Sequence, residues 1–223
     1  MSTRSLLVAS VLLLMASAAL AHDLFLKLDT YFLEPHARAR ITVLNGTFAK
    51  SEGFVAPERI ADISAVSGGG RTRLSAASTW SRGPDSTSVL RLALGDPGTY
   101  VVGVSTRPRE IELRAEEFNA YLEEDGIPDI LEARRRSNEV AQGARERYSK
   151  HVKAVFRDTP LRVRCLVDGR PVQRGTRTGP DGVAEVTLDA AGRWYVKFVH
   201  MVRGTQRGLD YESKWATLTF EIR

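Results

Sequence analysis

The residues able to do chemistry in this 223-residue chain are few. It holds four histidines, His22, His36, His151 and His200, and a single cysteine, Cys165. Imidazole nitrogen suits nickel, copper and zinc. No HExxH, CxxC or paired-histidine spacing occurs, so a metal site would have to be assembled from distant segments. His22 gains weight from its position. It follows Ala19-Leu20-Ala21, a small-x-small cleavage site closing an apolar run over 6–20 that begins behind Arg4. Cutting after Ala21 would make His22 the first mature residue. A free amine, with a reference pKa of about 8, and an imidazole on one residue form a chelate, and metal binding would release the amine's proton. The rival reading carries equal weight from pattern alone: His22 is simply the first tolerated residue after an export signal.

The remaining candidates are weaker one by one. His200 shares the apolar parity of a strand over 193–202, where a lone histidine is more often a core residue than a ligand. Met201, a soft thioether, sits on the opposite parity. Across a polar loop over 203–210 stand Asp210, Tyr211, Glu212 and Trp215, which bring hard oxygen donors toward the His200 end. His151 and His36 read as surface residues. Cys165 shares parity with Leu161, Val163 and Val167 and reads as a small core hydrophobe. No GxSxG elbow is present, and Gly68-Gly69-Gly70 lacks the Lys-Ser/Thr of a phosphate loop. The residues therefore point to a binding protein and not to an enzyme.

These side chains must be positioned by strands. Period-two alternation predicts strands over 24–28, 38–44, 59–66, 71–74, 89–94 and 99–105, separated by turn signals such as Asn45-Gly46 and Asp96-Pro97-Gly98. From Pro108 the pattern turns helical. One helix covers 115–124 with Phe118, Tyr121 and Leu122 on its buried side. Pro128 opens a second with Ile130 and Leu131. A third is predicted over 139–155, with Ala144, Tyr148, Val152 and Val155 along one stripe. Strands resume over 161–167, 183–188, 193–202 and 215–223, the last with Ala216, Leu218, Phe220 and Ile222 inward. The expected architecture is mainly β: a signal over 1–21, an N-terminal β-sandwich over 22–108, a helical insertion over 109–157 and a C-terminal β-sandwich over 158–223.

The formal net charge is +5, but acids and bases are interleaved, as in Arg134-Arg135-Arg136 beside Glu132 and Glu139. That describes a solvated surface and not the segregated basic face of a nucleic-acid binder. No second apolar stretch is long enough to span a bilayer.

Taken in order, several segments resemble the NikM-like periplasmic family, exported bacterial proteins with a domain of unknown function linked to nickel and cobalt uptake. They are Ala21-His22-Asp23-Leu24-Phe25-Leu26, Pro97-Gly98-Thr99-Tyr100, Ala144-Arg145-Glu146-Arg147-Tyr148-Ser149-Lys150, Ala191-Gly192-Arg193-Trp194, Val199-His200-Met201 and the run from Asp210-Tyr211-Glu212 to Phe220. The resemblance implies two immunoglobulin-like β-sandwich domains, a periplasmic location and a divalent transition metal, nickel or cobalt, with copper chemically as reasonable. Carried over by position, it points to His22 and His200, with Asp210 and Glu212 as helpers. It also implies a membrane metal transporter as partner, and this chain would be a soluble relative of the membrane-spanning members. Two rivals remain beside it: a metal-free carbohydrate- or protein-binding module using Trp80, Trp194 or Trp215, and a copper enzyme built on the His22 chelate.

Overall fold

The computed structural model describes residues 22–157, residue 188 and residues 191–222. The described residues are mainly β. In chain order the strands are β1 (Asp23–Lys27), β2 (Arg38–Gly46), β3 (Ile60–Ser67), β4 (Gly70–Arg73), β5 (Trp80–Arg82), β6 (Ser88–Ala93), β7 (Thr99–Thr106), β8 (Arg109–Leu113), β9 (Ala144–Arg157), β10 (Gly192–Arg203) and β11 (Tyr211–Ile222). The helices are α1 (Ala76–Thr79), α2 (Ala115–Glu124) and α3 (Pro128–Arg136). Among the described residues the strands form two sheets. One has four strands in the order β1-β2-β6-β5. The other has seven, in the order β10-β11-β9-β7-β3-β4, with β8 also paired to β9.

The long strand β9 is the backbone of the larger sheet. Its second half pairs antiparallel with β7, from Ser105 opposite His151 to Thr99 opposite Arg157. Its first half pairs with β8, and its other edge runs parallel to β11. Strands from both ends of the sequence thus share one sheet. The smaller sheet covers part of its inner face and encloses one core around Leu24, Leu26, Ile41, Ile63, Val102 and Phe156. Helices α2 and α3 accompany a second core, in which Phe118, Tyr121, Leu122 and Leu131 join Tyr211 and Trp215. Trp215 stacks on Tyr121 at 5.6 Å and Tyr211 on Phe118 at 5.1 Å.

Helices α2 and α3 lie where the amphipathic pattern predicts them, but the third helix is replaced by β9. Ala144, Tyr148 and Val152 are four residues apart, a spacing that fits one helix face and also one strand face, because four is a multiple of two. Glu146, Lys150 and Ala154, each two residues further on, are buried with them, while Val155 of the expected stripe is only half-buried, which settles the period as two. Arg134 departs from the solvated-surface reading. It is buried, it donates to Asn119 Oδ1 at 3.1 Å and Glu139 O at 2.9 Å, and its guanidinium lies 4.9 Å from the Phe118 ring centre.

The facing of β10 and β11 is also the reverse of the expectation over most of their length, although Ile222 is buried as expected. Tyr211, Ser213, Trp215, Thr217 and Thr219 are buried, whereas Ala216, Leu218 and Phe220 are half-buried on the outer face. The reason is how β1 docks. It crosses the inner face without a backbone ladder to β11, and its carbonyls at Leu24 and Leu26 accept hydroxyl hydrogen bonds from Thr217 at 2.7 Å and Thr219 at 2.5 Å. Hydroxyls are needed inside at those positions, so the more apolar parity faces out. The strands expected over 161–167 and 183–188, and with them Cys165, lie outside the described residues apart from Leu188.

Candidate functional site

A polar seam runs between the two cores, and the start of β1 lies on it. Lys197, on the inner face of β10, donates to Asp23 Oδ2 at 2.8 Å and to Asp125 Oδ1, at the C-terminal end of α2, at 2.9 Å. Burial works against the Lys197 ammonium, but the two carboxylates outweigh it and hold its pKa above the usual lysine value. Burial raises the pKa of Asp125 despite this partner. Deeper in the seam, the fully buried Glu146 accepts hydrogen bonds from Ser213 Oγ and from Tyr121 Oη at 3.2 Å, while Trp215 Nε1 donates to Ser213 Oγ at 3.0 Å. Burial pushes the Glu146 carboxyl up, toward its neutral form.

His22 immediately precedes β1 and is about one-third exposed. Its Nε2 lies 2.9 Å from Glu52 Oε2. Glu52 is delivered by the turn that follows β2. Thr47 N donates to Lys50 O at 2.9 Å and Glu52 N to Asn45 O at 2.8 Å, so the chain folds back on Gly46. A side chain at Gly46 would place its Cβ 2.6 Å from Lys50 O, so the turn in this form requires glycine. Phe48 anchors the same turn, 5.5 Å from Phe25 of β1 and 5.1 Å from Tyr195 of β10, measured between ring centres. The backbone of His22 is held as well. Lys150, buried on the inner face of β9, donates from Nζ to His22 O and, at 3.0 Å, to Asn45 Oδ1. Burial lowers the Lys150 pKa to about 8.

The chemistry follows from which ring nitrogen is engaged. A carboxylate on Nε2 favours the tautomer with hydrogen there and leaves the Nδ1 lone pair open. Nδ1 is the ring nitrogen nearer the backbone, so it is the one able to close a chelate with the residue's own amine. A carboxylate on the distal nitrogen is also the usual partner of a metal-ligating histidine. With the chain cut after Ala21, His22 would offer a divalent transition metal two nitrogen donors, with Glu52 orienting the ring.

The other expected donors are placed elsewhere. His200 is exposed on the outer face of β10, opposite Lys214. Three residues away, Lys197 points inward to Asp23, so the sheet separates His200 from His22. Glu212 shares the outer face with His200 at a diagonal position, but its carboxylate takes a 2.6 Å hydrogen bond from Arg147. Asp210 accepts from the Arg145 amide at 2.7 Å. Among the described residues no group of three or more His, Cys, Asp or Glu side chains gathers as a metal cluster. His151 sits between Ser105 and Ser149 at 3.0 and 3.1 Å, and His36 is an exposed turn residue with a φ of 58°. Trp80 and Trp215 are core residues, 6% and 2% exposed, which removes two of the three tryptophans from any shallow aromatic groove.

Glu52, Asn45 and Lys150 were not among the sequence candidates. The Asn45-Gly46 turn signal is the only local pointer to them; their meeting at His22 is a product of topology. Comparison with known protein families, curated protein sequences and solved structures returns no match to this chain. No helix among the described residues is long and apolar enough to cross a membrane.

Proposed function

We propose that this is an exported periplasmic protein that binds a divalent transition metal through its first mature residue, His22. The frame is an immunoglobulin-like sandwich whose larger sheet is extended at one edge by the C-terminal strands β11 and β10. The observation that carries the reading is the 2.9 Å contact between His22 Nε2 and Glu52 Oε2, which leaves Nδ1 for the metal. The amine and Nδ1 of His22 would hold the ion, and Glu52 would fix the ring. His200, Asp210 and Glu212 stand outside this site. The family resemblance favours nickel or cobalt as cargo for a membrane metal transporter. Intrinsic affinity favours copper for the same nitrogen pair. The protein is a binder and not an enzyme on this reading.

The test compares protein with a verified His22 N-terminus with protein carrying one extra residue before it. Both are titrated with nickel, cobalt and copper by calorimetry. The extension blocks the amine and leaves the fold unchanged, so its affinity should fall steeply. Equal affinity in the two proteins would take the amine out of the site and refute the reading.

A further inference from the structure

The first residue of a chain usually frays unless something ties it down. Here three side chains from three separate elements converge on residues 22 and 23. Glu52 holds the His22 ring, Lys150 holds the His22 carbonyl, and Lys197 holds the Asp23 carboxylate. Lys150 is the most demanding of the three. Lysine is rarely buried so fully, and the acceptors its ammonium meets here are neutral oxygens, His22 O and Asn45 Oδ1. Its own backbone is fixed too, since Lys150 N donates to Thr106 Oγ1 at 3.0 Å.

We infer that Lys150 is a positioning residue, whose ammonium pins the first mature residue to the large sheet so that its amine and ring are held ready together. This rests on the metal reading for its purpose but not for its geometry. A carbonyl anchor does not read the side chain, so Lys150 sets where residue 22 lies, and Glu52 separately sets how its ring is turned. Preorganising both halves of the chelate removes ordering cost from the binding step. Asn45 completes the anchor by accepting from the same ammonium.

Two readouts test this, one of them without metal. In metal-free native protein beginning at His22, aminopeptidase should release histidine roughly 10-fold to 100-fold more slowly than from the urea-unfolded chain, scaled to one charged hydrogen bond. Release from native protein at the unfolded rate would overturn the inference with no variant needed. Lys150→Met keeps the volume and removes the donor. It should speed release from folded protein by about tenfold or more and weaken nickel binding, whereas Glu52→Gln should weaken binding with a smaller effect on release. A folded Lys150→Met protein with wild-type release would also overturn the inference. The metal reading fails separately, through the one-residue extension, and that failure would leave the release results standing.

Discussion

Lys197→Met isolates the clamp that joins β1 to the helical layer. The substitution keeps most of the aliphatic stem and removes the ammonium from between Asp23 and Asp125. The Lys197 side chain is 32% exposed, and the two carboxylates are 15% and 19% exposed. The site lies between two limits: a surface pair worth about 0–1 kcal/mol and a buried pair whose breakage costs about 3–5 kcal/mol. Two charge-assisted hydrogen bonds at 2.8 and 2.9 Å are lost at once. A destabilisation of about 2–3 kcal/mol follows, read as a urea midpoint lowered by roughly 1 M at the m-values usual for small domains. The pH dependence gives the sharper check. Asp125 already has a folded-state pKa raised by burial, so its ionised form opposes folding above that pKa and the penalty disappears as the carboxyl is protonated. Losing Lys197 removes the partner that opposes the rise at Asp125, so the variant's deficit should shrink as pH falls into the carboxylate range. In the wild type, the raised Lys197 pKa means the clamp is intact below the ordinary lysine value and is lost as pH rises through the folded one. Lys197→Arg should recover part of the loss. A Lys197→Met protein with an unchanged midpoint, or with a deficit that grows on acidification, would refute the reasoning.

Glu52→Gln should weaken metal binding about 10-fold to 100-fold, the usual effect of losing a histidine's orienting carboxylate, measured by competition with a chromogenic chelator. Affinity should also rise by up to about tenfold per pH unit below an amine pKa of about 8; a flat profile there would exclude the amine. Glu146→Gln should flatten the pH dependence of stability. The native carboxyl keeps its proton to a higher pH than the unfolded chain does, so wild-type stability falls as pH rises through that interval, and the amide has no such interval. Urea midpoints at matched pH values on either side check this. Phe118→Ala should cost about 3–5 kcal/mol, since the ring is fully buried against Tyr121 and Tyr211.

The sequence is most readable where one residue pattern admits one structure. The alternation in β1 to β4, β6 and β7 and the Phe118-Tyr121-Leu122 spacing in α2 are of this kind, and these elements stand where the pattern predicts, whereas the three-residue β5 is too short to show a period. Ala144, Tyr148 and Val152 failed to discriminate because their spacing of four serves helix and strand alike. The informative positions were Glu146 and Lys150, whose polarity hid the fact that they face inward. The same blindness explains β10 and β11. Hydrophobic parity finds the core only where the core is apolar, and at the seam the inner face places Ser213, Thr217, Thr219 and Lys197 beside Trp215 and Met201. The candidate site inherits this. His22 could be singled out because its significance is local, a matter of where the chain is cut. Glu52 and Lys150 could not, because a carboxylate in an irregular loop and a lysine on a strand acquire meaning only when β1 is laid across β9 and β11. The polar residues that misled the reading of parity are thus the ones that hold His22 and Asp23 in place. A sandwich filled with leucine at Lys150 and Lys197 would have been easier to read from sequence, and it would have left the start of the chain with no polar anchor on the sheet.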